Sequence, residues 1–344
     1  MRLLQRDGAG RYRLEKFTGD DVVPCYAILS HTWGSDNDEV TFADLENGTR
    51  THIVGYRKLD FCAEQAAKDN LQYFWVDTCC IDKSSSAELE EAIASMFAWY
   101  RGAAVCYVYL SDVSLASITI TSSQPTLQGW HAISQQIRWL TQGPMSQDSV
   151  SASITVISKR RSDEKGWYPA FQQSRWFTRG WTLQELIAPA SVEFFSVDGH
   201  HLGSKHSLLE ELHHITGIGV EALQAGSQPE FNFNEKFTFE ERMSWMDKRQ
   251  TKIKEDMAYS LLGIFDVHMV LIYGEGRDKA LARLKREYLI TSSDAGRSPA
   301  LQVPMSQNQS TYMYHGPVFN GPVTGRNVIT GMHVTGGTVN FNFK

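Results

Sequence analysis

Apolar and polar positions switch between two periods along the first 110 residues. Tyr26-Ala27-Ile28-Leu29-Ser30 is a short apolar run ending in His31-Thr32-Trp33-Gly34, the pattern of a buried strand followed by a turn. Leu59, Cys62, Ala63 and Ala66 recur at helical spacing and predict a helix over 55–69. Tyr73-Phe74-Trp75-Val76-Asp77 predicts a second buried strand. Ser85 and Glu88 then have the spacing of a capping box, ahead of a helix face made by Leu89, Ile93, Met96, Phe97 and Tyr100. Val105-Cys106-Tyr107-Val108-Tyr109-Leu110 predicts a third strand. Near-continuous apolar strands alternating with helices indicate an α/β fold, a parallel sheet covered on both faces.

The order breaks after residue 113. Of the fifty residues 114–163, twenty-two are Ser, Thr or Gln, which reads as a long surface insertion with one helix around Trp130–Leu140. Beyond it, Trp176 to Ile187 is expected to be one helix ended by Pro189, and Val192–Val197 a fourth strand. Ser207–Ile215, Lys254–Leu262 and Lys279–Leu289 are further helix candidates. The expected organisation is a lead-in over 1–20, an α/β domain over 21–200 with an insertion over 114–170, a helical part over 201–294, and a distinct tail over 295–344.

Charge supports that last boundary. The chain has 344 residues and a net charge of −6, and Asp294 is its last acidic residue. Residues 1–294 carry net −9 and the last fifty net +3. The acidic balance argues against nucleic-acid binding by the chain as a whole. No run of eighteen apolar residues exists, and Met1-Arg2-Leu3-Leu4-Gln5-Arg6-Asp7 lacks the apolar stretch of a signal peptide, so a cytoplasmic protein without a transmembrane segment is expected. The five cysteines, with no C-x-x-C, read as reduced thiols packed as small hydrophobes.

Three polar clusters follow the three strands. They are Ser30, His31 and Trp33; then Asp77, Thr78, Cys80 and Asp82; then Ser111 and Asp112. In a parallel α/β sheet such groups converge at the carboxyl rim, where ligands bind, although each carboxylate alone is as well explained as a helix or turn cap. Trp181 and Glu185 stand four apart and share a face of the expected helix. A carboxylate beside a large aromatic can be desolvated, which raises its pKa and suits acid–base work or stabilisation of an oxocarbenium ion; a surface Glu is the plain alternative. Five of the eleven histidines lie in 200–214, and His206, Glu210 and His213 share a face. A solvated face is preferred there to a metal site, so no metal and no cofactor are expected.

The tail has its own signature. Gly316, Gly321, Gly325, Gly331, Gly336 and Gly337 are spread among Val, Asn, Thr and Phe, and Gly337-Thr338-Val339-Asn340-Phe341-Asn342-Phe343 alternates with period two. High β-propensity, asparagines for side-chain ladders and almost no charge favour cross-β stacking over a flexible Gly-rich tail.

Tyr26–Gly34, then Trp75-Val76-Asp77-Thr78-Cys79-Cys80-Ile81-Asp82-Lys83, then Ser174-Arg175-Trp176-Phe177-Thr178-Arg179-Gly180-Trp181-Thr182-Leu183-Gln184-Glu185-Leu186 resemble the fungal HET (heterokaryon incompatibility) domain. Arg242–Trp245, Glu255–Phe265 and Tyr273–Gly276 look like the segment that follows it in that family, so the similarity runs over about 20–290. The resemblance implies a role in fungal non-self recognition with cell death as output. HET domains are in turn similar to TIR domains, which implies a flavodoxin-like sheet. Some TIR domains cleave NAD+ with a glutamate in a Trp-Cys-x-x-Glu-Leu motif. Trp181–Leu186 has that shape, with Thr182 in the Cys position, and this makes Glu185 the catalytic candidate. Ser30, His31, Trp33, Asp77, Cys80, Asp82, Arg179 and Trp181 are the matching substrate-binding candidates, with NAD+ as substrate rather than cofactor. The insertion departs from the family pattern.

The tail looks like the amyloid-signalling motifs of fungal cell-death effectors, with Gly316, Asn320, Gly321, Gly325, Asn327, Gly331, Gly336, Gly337, Asn340 and Phe341 as motif positions. That resemblance implies a NACHT- or NB-ARC-type receptor carrying a matching motif, and a homo-oligomer or fibril on activation. The alternative to an NAD+ hydrolase is a non-catalytic module that signals by self-association.

Overall fold

The computed structural model describes residues 1–19, 21–115, 166–228 and 230–295, and the backbone of 329–335 and 338–343. The chain divides into two units, Met1–Arg297 and Ser298–Lys344.

The first unit is built on a seven-stranded sheet. β1 (Arg2–Arg6) and β2 (Tyr12–Lys16) form a hairpin within the stretch expected to be a lead-in. β3 (Tyr26–His31), β4 (Tyr73–Trp75), β5 (Val105–Leu110) and β6 (Val192–Ser196) run parallel, and β7 (His201–Ser204) returns antiparallel beside β6. The order across the sheet is β2-β1-β4-β3-β5-β6-β7. Chain order within the parallel centre is thus second, first, third, fourth. The switch point lies between β3 and β5, paired from Ala27↔Val105 to His31↔Tyr109. Doubly wound sheets bind ligands at the carboxyl ends of the strands flanking such a point. All six residues of β3 and all six of β5 are buried, which explains their unbroken apolar runs.

The helices follow from their apolar stripes. α1 (Phe42–Asn47) carries a full capping box from Thr41 and Asp44. α2 (Tyr56–Lys68) buries Leu59, Cys62, Ala63 and Ala66, the four positions that predicted it. α3 (Ser86–Gly102) buries Ile93, Met96 and Tyr100, while Leu89 and Phe97 pack at the core's edge. Each large side chain so buried contributes about 1.5–3 kcal/mol. The expected capping box at Ser85 is only half formed. Ser85 accepts the Glu88 N–H, but the Glu88 carboxylate accepts the Asp82 N–H at 2.7 Å and pairs with Arg2.

Two expected helices are broken. α4 (Tyr168–Gln172) is followed by a 3-10 turn over Arg175–Thr178, and only then by α5 (Thr182–Ile187). At the break, Arg179 forms a parallel bridge with Gln250, and the Gly180 N–H donates to the Gln250 carbonyl at 2.9 Å. That strand-like pairing takes the groups a continuous helix needs. Further on come α6 (Leu209–Thr216), α7 (Val220–Leu223), α8 (Phe233–Lys236) and α9 (Phe239–Ser244). The candidate helix over Lys254–Leu262 is two short ones, α10 (Asp256–Tyr259) and α11 (Leu262–Phe265). α12 (Arg277–Ala295) closes the unit.

In the second unit, β8 (Ile329–Thr335) and β9 (Thr338–Phe343) pair antiparallel from Thr335↔Thr338 to Ile329↔Phe343, with an irregularity between Ile329 and Met332. The alternating end is therefore a strand, paired within the chain. Gly331, Asn340 and Phe341 lie on this hairpin, whereas Gly316, Asn320, Gly321, Gly325, Asn327, Gly336 and Gly337 lie outside the described residues, as does the helix expected at Trp130–Leu140.

Candidate functional site

Ser30, next to last in β3, has no exposed surface, and it joins two distant segments. Its hydroxyl donates to Glu185 Oε2 and accepts the Trp176 Nε1–H at 2.7 Å. Glu185 sits on α5, where every residue from Thr182 to Ile187 is buried. Its side chain is therefore held at the carboxyl rim of the switch-point strand, 7% exposed. Burial pushes the carboxyl up to about 8; the Asp77 charge adds to the rise, while the Ser30 hydrogen bond, Arg249 and Arg179 oppose it. At neutral pH Glu185 is mostly protonated.

Two arginines supply that opposing charge. Arg249 is 4% exposed, and its Nη1 donates to the Arg179 carbonyl and to the Thr182 hydroxyl, both at 2.8 Å. Among the described residues its buried Nη2 has no hydrogen-bond partner. Burial lowers the guanidinium to about 10 against the pull of Glu185. The half-buried Arg179 acts electrostatically on both Glu185 and Asp256.

His31 lies between two carboxylates. Its Nε2 is 3.6 Å from Glu39 Oε2 and its Nδ1 3.9 Å from Asp77 Oδ1. Glu39 also accepts the Gly34 N–H at 2.6 Å and pairs with Lys58 at 2.5 Å. Burial pulls the Glu39 carboxyl up, but His31 and Lys58 outweigh it and hold it down at about 2. Asp77 accepts the Trp33 Nε1–H at 2.8 Å, and the Lys83 ammonium stands 3.8 Å over the Trp33 ring.

The structure thus brings Ser30, His31, Trp33, Asp77, Arg179 and Glu185 to one rim. It places three other candidates elsewhere. Cys80 is a core thiol accepting the Val76 N–H. The Asp82 carboxylate accepts the Ser84 N–H and hydroxyl in the turn before α3. Trp181 precedes α5 and directs its indole N–H to Asp256 Oδ2 at 3.0 Å, where Tyr273 reaches Oδ1 at 3.2 Å. The aromatic ring tied to Glu185 through Ser30 is Trp176. Asp112 caps the next turn, accepting from Ser174 and the Arg175 N–H, as the capping alternative holds. Among the 200–214 histidines, His201 pairs with Glu193 at 2.7 Å and His213 Nδ1 contacts the Ile218 carbonyl at 2.7 Å.

Sequence reasoning missed Glu39, Arg249 and Asp256. Asp256 stands in a quoted family segment, but neither spacing nor composition marks Arg249 or Glu39. Five clefts of about 340 to 830 Å3 on the described surface are lined by residues other than Ser30, Asp77 and Glu185. At the rim Ser30, His31 and Glu185 are buried, and Trp33, Asp77 and Arg179 are half-buried. Four of the five cysteines are buried free thiols, and Cys25 is exposed and free. Among the described residues no helix is long and apolar enough to cross a membrane.

Comparison with known proteins adds the family. Over 287 residues, 83% of this chain, the sequence is 47% identical to "Vegetative incompatibility protein HET-E-1" of Podospora anserina. The matched region is only 18% of that relative's length. No solved structure matches the chain. Residues 26–185, from the first residue of β3 to Glu185, match the family model described as "Heterokaryon incompatibility protein (HET)", and the chain belongs to the HET family of heterokaryon incompatibility proteins.

Proposed function

We propose that this chain is an effector of cell death in heterokaryon incompatibility and that its rim hydrolyses NAD+. The observation that carries this reading is Glu185, a buried carboxyl at the switch-point rim, fixed by Ser30 and flanked by Arg179 and Arg249. The chemistry suits a TIR-like glycohydrolase. Cleavage of the C1′–N bond sends the bonding pair to the nicotinamide nitrogen and discharges the pyridinium. The ribosyl oxocarbenium left behind faces Glu185 and is captured by water, which loses a proton. A neutral Glu185 suits the empty site, because an arriving pyridinium favours its ionised form. Arg179 is suited to meet the diphosphate, while His31 and Asp77 would orient the ribose.

The burial of Ser30, His31 and Glu185 supports a latent state that must open before turnover. In this reading the tail supplies the trigger. A receptor carrying a matching motif seeds residues 295–344 into a cross-β assembly, clusters the α/β units and opens the rim. Strand-forming residues 329–335 and 338–343 are consistent with a segment able to pair with other strands.

A second reading draws on the same burial. The Ser30–Glu185–Trp176 network is a satisfied buried cluster, and such clusters also serve only to specify a core. The chain would then act as a non-catalytic self-association module. The test is NAD+ loss by the purified full chain, seeded with tail peptide, against Glu185→Gln. Turnover lost in Glu185→Gln supports hydrolysis. Turnover unchanged in the variant removes Glu185 from the mechanism, and cell killing by Glu185→Gln without nucleotide loss favours the module.

A further inference from the structure

Lys248 and Arg277, on the cationic face behind the rim, have no role in the reading above. A cleft of about 340 Å3 opens between α9, the 246–250 loop, α10 and the start of α12. Its charged lining is Lys248, Arg249, Arg277 and the single acid Asp247, beside Met246 and Met257. Lys248 and Arg277 are exposed, and among the described residues neither side chain has an ion-pair partner. Arg249 differs from them. It is almost wholly buried, its Nη1 is committed to the Arg179 carbonyl and the Thr182 hydroxyl, and among the described residues its Nη2 is an orphan donor. A buried guanidinium N–H without a partner is an energetic liability that a bound acceptor removes.

From this geometry we infer that the cleft binds a small phosphate-bearing anion, with Arg249 at its inner wall and Lys248 and Arg277 at its mouth. Three cations against one carboxylate leave a charge of +2, which matches a dianion better than a single carboxylate. A planar guanidinium suits phosphate oxygens, and the methionines offer an adaptable apolar wall for what the phosphate is attached to. The volume lies at the lower end of the range for small-ligand sites. The site also touches the rim chemistry, because the nitrogen opposite the orphan clamps the first turn of α5, the helix that carries Glu185. An anion held there steadies that clamp and offsets the positive field that Arg249 projects on Glu185.

The inference is independent of NAD+ hydrolysis and is tested by binding alone. Pyrophosphate is titrated calorimetrically into the full chain, into the double variant Lys248→Glu/Arg277→Glu, and into Glu185→Gln. One site is expected in the unaltered chain, with affinity falling as salt rises. The double variant, altered only at exposed positions, is expected to bind at least about tenfold more weakly, the equivalent of about 1.4 kcal/mol. Glu185→Gln is expected to bind as the unaltered chain does. Equal affinity in the double variant overturns the inference, as does no binding at millimolar pyrophosphate. Loss of binding in Glu185→Gln also overturns it, because the anion would then sit at the rim.

Discussion

The Ser30 hydroxyl donates to the Glu185 carboxyl across 155 residues of chain, and both side chains are buried. This single contact joins the first parallel strand to α5, the helix that closes the family's matched segment. Trp176 completes it by donating to the same hydroxyl, so Ser30 both gives and receives. The arrangement fixes the carboxyl where the sheet's switch point opens, and it links stability to the protonation state of one residue.

That link sets a pH dependence. Glu185 titrates at about 8 when folded and near the ordinary glutamate value when unfolded. The folded state therefore holds an extra proton between those values. The contribution is fully present below the unfolded pKa and is lost as pH rises through the folded one. Urea midpoints of the unaltered chain should fall between pH 5 and 9 by the equivalent of a few kcal/mol. Glu185→Gln, which cannot ionise, should show a flatter profile over the same window.

Ser30→Ala removes one hydroxyl and strands two partners. The Trp176 N–H loses its acceptor and Glu185 its donor, both in the core. A loss of about 1–3 kcal/mol is expected from chemical denaturation. Since the Ser30 hydrogen bond lowers the Glu185 pKa, the variant's stability should go on falling to a higher pH than that of the unaltered chain.

Glu39 gives the opposite sign. Its folded pKa, about 2, lies below the unfolded value, so its contribution is present above the unfolded pKa and lost as pH falls through the folded one. Lys58→Met removes one of the two cations that hold it down. Stability at pH 9, where the contribution is fully present, should fall, and the acid-unfolding midpoint, followed by circular dichroism, should move to higher pH.

Deletion of 300–344 separates trigger from machinery in the proposed function. The first unit, Met1–Arg297, retains the whole seven-stranded sheet and the Ser30–Glu185 contact. The truncated chain should keep its unfolding midpoint within about 0.5 kcal/mol and lose receptor-triggered killing in cells. Killing at the full level would detach the tail from activation.

Much of the α/β centre was legible because its strands are buried on both faces and its helices keep one apolar stripe. β3 and β5 read directly as apolar runs, and α2 as its four buried positions. The hairpin β1–β2 escaped notice because four of its ten strand residues face solvent and carry charge. The break before α5 also escaped, because its cause is Gln250, seventy residues away from Gly180 in the chain, and local periodicity cannot register a remote backbone partner. The same holds for the rim. Ser30, His31, Asp77 and Glu185 follow strand ends or a motif, whereas Arg249 reaches α5 only through tertiary packing. Asp82 and Cys80 sit in the right motif, but the chain turns them toward a cap and the core.

The bridge between Arg179 and Gln250 bears on how such proteins can be dissected or shuffled. A fragment cut to the matched segment 26–185 would lose β6, which covers the β5 edge, and β1, which covers the β4 edge. It would also lose Arg249, the clamp on α5. Two bare sheet edges invite aggregation, so insolubility of that fragment would say nothing about the intact unit. Chimeras exchanged between relatives should keep residues 1–16 and 245–256 with the segment they brace, because the inheritable module is set by pairing rather than by the limits of similarity.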